Sequence, residues 1–465
     1  MTVAHDPSPA PAGEGGKSGG LRARVGVFGI GLATYWPQFP GLLERVQGYQ
    51  RRVEERVAEL GGEVVSAGLV DSAQGARAAG DRFAQSQVDL VLCHAVTYAT
   101  SSQVLPAVQA AGVPVVLLGL QPTATLDYAR TDTGEWLANC AACCVPEIAG
   151  WVRAAGVARS LRRSRLGFLG HTYPGMLDLY SDFTAVHAQI GAHVEVLEID
   201  DLSARVARAT EREVTAKRRE IGATFDFADP SEDPIAGPIE PEQLDWSARV
   251  AVGLDRLAAD FELDALTYYY RGVDGNEAER LGAGVIVGNS LLTARGIPTA
   301  GEGDLKTNLA QLILDRLGAG GSYTEFYGLD LAEGFVLMGH DGPAHVAIAQ
   351  GRPTLRSLKV FHGKRGAGLS VEANVRHGPI TIVGCTQTVE GRLKLIVAEG
   401  ESIPGETFRI GNTNSRLRFG PGPAELLERW CAEGPTHHVA LGVGHTAADV
   451  AKVASLLELD HVLVG

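Results

Sequence analysis

The chain has 465 residues and a formal net charge of −14, which disfavours a nucleic-acid partner because phosphate binding needs basic patches. Hydrophobic residues make up 45% of the sequence, enough for large cores, yet no run of about 18 apolar residues predicts a membrane span. Six cysteines in a chain of this length do not form a disulfide framework. We therefore expect about two to four domains, a cytoplasmic location, and neither a nucleic-acid nor a membrane partner.

The first part of the chain predicts a tail and then an α/β domain. Residues 1–22 are rich in Pro, Gly, Ser and Ala, and we expect a disordered tail. Apolar runs separated by helix-length segments then indicate a parallel sheet covered by helices. The predicted strands are 24–31, 63–67, 88–93 and 113–118, and the predicted helices are 41–60, 72–86, 101–111 and 134–155. We assign residues 23–160 to this domain.

The same pattern restarts and predicts a second α/β domain over residues 161–300. The predicted strands are 165–170, 193–199, 263–270 and 285–287, and the predicted helices are 177–190, 201–221 and 241–261. Each domain opens with a strand that ends in glycine, at Gly31 and Gly170, but neither matches the full dinucleotide fingerprint. We interpret both turns as walls of a ligand crevice, because ligands bind at the carboxyl ends of strands in open α/β sheets.

The remaining residues, 301–465, predict a C-terminal β-rich domain. Alternating stretches separated by turn residues indicate an antiparallel sheet or a small barrel. These stretches are 345–350, 358–361, 369–375, 380–385 and 393–399, followed by a helix at 446–457 and a strand at 461–464. The fold class is therefore α/β, with two doubly wound parallel-sheet domains followed by an antiparallel β-rich domain.

Two acids and a histidine, Glu302, Glu325 and His340, stand in apolar, glycine-rich surroundings. A buried carboxylate is costly unless a cation or hydrogen bonds compensate it, and such a ligand set suits Mn²⁺ or a similar divalent ion. The alternatives are a helix cap for Glu302 and a structural salt bridge for Glu325. His345 is an alternative to His340 as the ligand.

The adjacent pair His437 and His438 offers a further ligand near the C-terminus. In an extended segment, neighbouring side chains point to opposite faces, so we expect only one of the two to enter the site.

The chain resembles the L-arabinose isomerase family, within the wider group that includes L-fucose isomerases. The residues that carry the resemblance are Gly301–Thr307 (Gly-Glu-Gly-Asp-Leu-Lys-Thr), Glu325, Leu337–His340 and Gly434–His438, with weaker support from Trp36–Phe39 and Leu118–Gln121. The resemblance implies that Glu302, Glu325, His340 and His438 bind Mn²⁺, or another divalent ion such as Co²⁺ or Mg²⁺, beside a sugar. It also implies a homo-oligomer, either a trimer or a hexamer, that carries most of its metal ligands in the C-terminal domain.

Four further residues are candidates for substrate binding: Gln121, Asp304, Met176 and His437, the last being the alternative to His438 as a ligand. Asp304 matches an acid that supports the first glutamate of the family site. The stretches 29–36 and 122–129 depart from the family pattern and leave the sugar open.

The predicted function is a metal-dependent isomerase that interconverts an aldose and its ketose through an enediol. A divalent ion polarises the carbonyl, while one carboxylate moves the carbon-bound proton and a second group manages the hydroxyl proton. Glu302 and Glu325 suit these two roles, and either could be the base. One alternative is a non-catalytic sugar-binding or regulatory protein on the same scaffold. Another is an epimerase or hydrolase that reuses the metal site.

Overall fold

The computed structural model describes residues 22–120, 122, 133–139, 148–271, 276–358 and 368–465. Its chain forms two compact units, one of Gly20–Arg159 and one that contains Ser160–Gly465. The predicted tail, apart from Arg22, and the candidate Gln121 lie outside the described residues. The three-domain division stays a prediction.

The first unit contains a parallel sheet with the strand order β2-β1-β3-β4. Its elements are β1 (Arg24–Ile30), α1 (Leu42–Glu59), β2 (Glu63–Val70), α2 (Ala73–Gln85), β3 (Leu90–Ala95), α3 (Leu105–Ala111), β4 (Val115–Leu118), α4 (Thr133–Asn139) and the start of α5 (Ala149–Arg163). Every residue of β3 is buried, as expected for a parallel strand covered on both faces. Helix α1 packs through apolar residues at helical spacing, since Leu42 and Val46 lie four apart, as do Val53 and Val57.

The second unit begins with another parallel sheet, in the order β10-β9-β5-β6. The elements of this part are β5 (Arg165–Gly170), α6 (Phe183–Ile190), β6 (His193–Leu197), α7 (Ile199–Ala207), α8 (Glu211–Thr224), β7 (Asp226–Phe227), β8 (Ala236–Gly237), α9 (Pro241–Asp260), β9 (Ala265–Tyr269), α10 (Glu277–Ala294), β10 (Thr299–Ala300) and α11 (Leu305–Arg316). In the described part of the chain, no helix is long and apolar enough to cross a bilayer.

The strand predicted at 285–287 is wrong, because these residues lie inside α10. Helix α10 is buried on nearly all sides, and Val285, Ile286 and Val287 belong to a continuous buried run. A short apolar run inside a buried helix has the same pattern as a buried strand.

The C-terminal part forms the predicted antiparallel barrel. Its elements are β11 (Ser322–Asp330), β12 (Phe335–His340), β13 (Thr354–Leu358), β14 (Leu369–Glu372), β15 (Gly378–Gln387), β16 (Leu393–Ile403), β17 (Thr413–Phe419), α12 (Pro423–Ala432), β18 (His438–Val443), α13 (Ala447–Leu456) and β19 (Asp460–Leu463). Among the described strands, six pair in the order β15-β18-β11-β12-β17-β16, and β16 returns to β15 to close the ring. The predicted fold class is confirmed.

The strand predicted at 345–350 is also wrong. Residues Val346–Ile348 form a single turn of 3-10 helix, in which the Ile348 amide donates to the His345 carbonyl. The short apolar run of residues 346–349 between two polar residues resembles a strand, but it is too short to distinguish a strand from a helical turn. Of the strand predicted at 358–361, only Leu358 is described, as the last residue of β13.

Helix α11 lies between the parallel sheet and the barrel within the second unit. It contacts β9 and β10 as well as β11, β15 and β18, and almost all of its side chains are buried. The Gln311 side-chain amide donates to the carbonyls of Thr299 (3.1 Å) and Gly321 (3.0 Å), which links β10 to the chain that enters β11. The first turn of α11 is thereby held beside the strands that carry the candidate histidines.

Candidate metal centre

Glu302 lies in the tight turn between β10 and α11. Its φ is 63°, a left-handed conformation that costs a residue with a side chain about 1–2 kcal/mol. The following Gly303 also has a positive φ, and a β-carbon there would lie 2.5 Å from the carbonyl oxygen of His171. The Glu302 side chain is 22% exposed, and within the described residues its Oε2 atom makes no hydrogen bond. The turn thus holds a largely buried carboxylate with one unsatisfied oxygen.

Two buried histidines face this carboxylate, His340 at the end of β12 and His438 at the start of β18. Their Nε2 atoms are 3.1 Å apart. The Glu302 oxygens lie 3.9 Å from Nε2 of His340 and 3.8 Å from Nε2 of His438. Atoms that share one ion through bonds of about 2.0–2.2 Å are separated by roughly 3–4 Å. Glu302 could therefore hold a divalent ion with these two histidines if both of its oxygens take part, since the 3.9 Å distance is from Oε1 and the 3.8 Å distance from Oε2.

His438 is oriented from behind by Asp304 and Tyr323. Its Nδ1 atom lies 3.1 Å from Oδ2 of Asp304 and 2.7 Å from the Tyr323 hydroxyl oxygen. The Tyr323 hydroxyl donates its hydrogen to the Gly301 carbonyl, so its oxygen acts as an acceptor for Nδ1. The Asp304 carboxylate, when ionised, also only accepts. Nδ1 of His438 therefore carries the proton, and the Nε2 lone pair faces Glu302. The resemblance predicts that Asp304 supports Glu302, whereas in the structure its carboxylate contacts His438.

Asp304 also caps helix α11, since its Oδ1 atom accepts from the Thr307 amide at 2.9 Å. We expect Asp304→Asn to keep this cap, because asparagine is also a good N-cap residue. The amide replaces the acceptor at His438, so the Mn²⁺ affinity should fall about 10–100-fold. Titration calorimetry measures the change. The matched control is Asp330→Asn, at a turn of the same barrel where Asp330 accepts backbone amides; equal affinities for the two variants would contradict the prediction.

Glu325 lies on β11 directly opposite His438 of β18. Directly paired residues of antiparallel strands project to the same face, so both side chains lie on one face of the barrel wall. The charge of Glu325 is also close enough to raise the pKa of Glu302. The structure therefore brings Glu302, His340 and His438 together and directs Glu325 to the same face as His438.

His437 also reaches the site, and the expectation that only one of the two adjacent histidines could enter is wrong. The two rings are 3.8 Å apart between centroids. A ring nitrogen of His437 lies within 4.8 Å of both a Glu302 oxygen and a His438 nitrogen. Because His437 precedes the first residue of β18, the side-chain alternation of a strand does not apply to it.

The other candidates lie in different surroundings. Met176 is half-buried in the segment between β5 and α6, two residues before Asp178, whose carboxylate contacts His437. His345 is buried beside Gly320, and burial lowers its pKa to about 4. Tyr323 and Asp178 were not singled out from the sequence, since nothing in their local patterns marks them.

Burial raises the pKa of Glu302, the nearby His438 and His437 lower it, and the charges of Glu325 and Asp304 raise it further; the net shift is upward from the ordinary value of 4.5. The folded protein therefore binds this proton more tightly than the unfolded chain. In the metal-free protein, stability from this group is lost as the pH rises from about 4.5 through the raised pKa.

We expect Glu302→Gln to remove this loss. In urea unfolding with a chelator present, the variant should gain stability relative to the native protein as the pH rises from about 4 to 7. A stability difference that is constant over this range would show that the carboxylate is not destabilised by burial.

The fold and the cluster define an α/β protein with a C-terminal barrel that carries a candidate divalent-metal site. Residues 320–460 match the family model of the L-arabinose isomerase C-terminal domain. The resemblance carried by the motifs is thereby confirmed, and over these residues the chain is similar to L-arabinose isomerases.

Two proteins named L-arabinose isomerase are similar to this chain. The protein from Acidothermus cellulolyticus is 26% identical over 328 residues, which cover 69% of this chain and 64% of that protein. The protein from Clavibacter sepedonicus is 25% identical over 327 residues, which cover 68% and 63%. The match thus spans less than two thirds of the length of either relative. A periplasmic ribose ABC transporter structure from Conexibacter woesei is 15% identical, covers 62% of this chain and 82% of its own, and has a TM-score of 0.15.

Proposed function

We propose that the protein is a metal-dependent isomerase that interconverts an aldose and its ketose through an enediol. The proposal is carried by the convergence of Glu302, His340 and His438, whose donor atoms lie 3.1–3.9 Å apart. The match of residues 320–460 to the L-arabinose isomerase C-terminal domain supports it. The substrate class we propose is a pentose, a deoxyhexose or a related aldose.

Glu302, His340 and His438, with Glu325 on the same face as His438, would hold Mn²⁺ or another divalent ion such as Co²⁺ or Mg²⁺. When bound, the ion would polarise the sugar carbonyl and stabilise negative charge on its oxygens. The protein residues then need only position the sugar and move protons.

The reaction moves a proton from C2 to C1 and a hydroxyl hydrogen from O2 to O1. We assign the carbon-bound proton to Glu302, because its Oε2 atom makes no hydrogen bond in the described part of the chain and so keeps a free acceptor position. Glu325 manages the hydroxyl proton from the same side as His438. Asp304 holds His438 in one tautomer, so the cluster keeps its orientation while the protons move.

The test is a ketose assay with Mn²⁺-loaded protein across a panel of aldopentoses, deoxyhexoses and hexoses, together with metal analysis. We expect one divalent ion per chain and ketose formation from at least one aldose. Binding of a sugar without formation of any ketose would favour a non-catalytic sugar-binding protein. Inversion at one carbon without a ketose would indicate an epimerase.

A further inference from the structure

The segment of residues 171–182, here called the β5–α6 loop, is tied to the turn that carries Glu302. The Tyr173 amide donates to the Glu302 carbonyl at 2.8 Å. The Thr172 hydroxyl donates to the Gly303 carbonyl at 3.4 Å. The first half of the loop is therefore fixed against the left-handed turn that presents the carboxylate.

The second half of the loop is fixed to helix α11 by a buried lysine. The ammonium group of Lys306, in the first turn of α11, donates to the Tyr180 carbonyl at 2.7 Å. A buried ammonium group needs such a partner, because removing it from water without one is costly. Lys306 belongs to the Glu-Gly-Asp-Leu-Lys-Thr segment, but it does not join the metal cluster. Its contact instead sets the position of the loop residues just before Tyr180.

Between these two anchors, the loop presents one carboxylate to the site. Oδ2 of Asp178 accepts two hydrogen bonds from the same residue, from Nδ1 of His437 at 2.6 Å and from its backbone amide at 3.1 Å. The pair of bonds fixes both the start of β18 and the rotation of the imidazole ring. Because Nδ1 donates to the carboxylate, the other ring nitrogen, Nε2, is left available to the cleft. The His437 ring is partly exposed, so a ligand can reach it.

We propose that Asp178 is a positioning residue of the active site, acting through His437, and that Lys306 holds the loop that carries it. The inference rests on the proposed function and takes His437, a substrate-binding candidate from the sequence, as a residue that contacts the sugar. Asp178 fixes the ring in the orientation that meets the substrate beside Glu302 and His438. The hydrogen bonds of its Oδ2 atom are both made with His437.

The experiment compares Asp178→Ala, Asp178→Asn and the control Asp182→Ala in the full-length, Mn²⁺-loaded protein. Asp182 lies in the same loop and caps α6 by accepting from the Thr184 and Ala185 amides. Replacing Asp182 with alanine therefore shows how a purely structural change in this loop affects activity. For Asp178→Ala we expect kcat/KM to fall about 10–100-fold, the range seen when an orienting partner is removed. Asparagine keeps an acceptor oxygen and should restore most of the activity. Asp182→Ala should lower only thermal stability.

Two further measurements show whether Asp178 acts through His437. The double variant Asp178→Ala/His437→Ala should be no less active than His437→Ala alone, because the two changes remove one interaction. Crystal structures of the metal-free protein should show the His437 ring turned away in Asp178→Ala and kept in place in Asp178→Asn. Fully additive losses, or an unchanged ring in Asp178→Ala, would overturn the proposal.

The ring placement also separates this inference from the proposed function. If the native protein forms no ketose from any aldose, the isomerase assignment fails. The orientation of His437 in the metal-free Asp178→Ala crystal still decides whether Asp178 positions it. Lys306→Met should loosen the same loop and displace His437 in part, whereas a ring unchanged in that variant would remove Lys306 from the proposal.

Discussion

Glu302→Gln is expected to lower kcat for aldose isomerisation by about 10²–10⁴-fold, the usual contribution of a general base. Glutamine has nearly the same size as glutamate and causes the same backbone strain in the left-handed turn, so the fold should persist. The amide can neither accept the carbon-bound proton nor supply a negative charge to the cation. Steady-state ketose formation measures the effect, and circular dichroism shows whether the fold is intact.

The control for this variant is Glu401→Gln, an exposed glutamate on β16 of the same barrel. It undergoes the same chemical change far from the β10–α11 turn in sequence, and we expect activity close to that of the native protein. If Glu302→Gln retains activity within about tenfold of the native value, the proton transfer assigned to Glu302 is wrong.

His340→Ala is expected to abolish metal binding, whereas His345→Ala should preserve it. Changes to residues that merely orient a ligand cost about 10–100-fold in metal affinity, so the loss of a direct ligand should cost more than about 100-fold. His345 is a matched control, because it is also buried and lies only five residues further along the chain. Its ring lies against Gly320 instead of Glu302.

Equilibrium dialysis with Mn²⁺, followed by elemental analysis of the protein fraction, distinguishes the two histidines. The result that would reverse the assignment is loss of the ion in His345→Ala with retention in His340→Ala. If both variants lose the ion and both show the circular dichroism spectrum of an unfolded protein, the loss of binding reflects unfolding and not the removal of a ligand. The affinity is therefore compared only for folded fractions.

Much of the architecture follows from local patterns in the sequence. Residues 90–93 of the buried strand β3 form a continuous apolar run, and helix α1 shows apolar residues four apart. The type of each element can therefore be predicted without knowledge of its neighbours. The alternating segments β15 and β16 likewise predict the antiparallel barrel. The local pattern fails at α10, because a helix buried on nearly all sides loses the periodicity that identifies it.

The candidate site was predicted in part because its residues lie in distinctive segments. Glu302 stands between two glycines, and His340 and His438 stand at the ends of strands. The supporting residues were missed for a physical reason. Tyr323 and Asp178 act only through contacts with residues distant in sequence, at separations of 115 and 259 residues. The shared side of His437 and His438 depends on where β18 begins, which a strand pattern locates only to within a few residues.

Helix α11 packs against the parallel sheet and the barrel at once, and its burial has a consequence for heat inactivation. If either the parallel sheet or the barrel unfolds, the other loses its packing against α11. The unit that contains residues 160–465 should therefore unfold in one cooperative transition. The temperature at which turnover ceases should then coincide with the calorimetric peak of this unit. Because one helix supports both parts, we expect activity to be lost over a narrow temperature range instead of falling gradually.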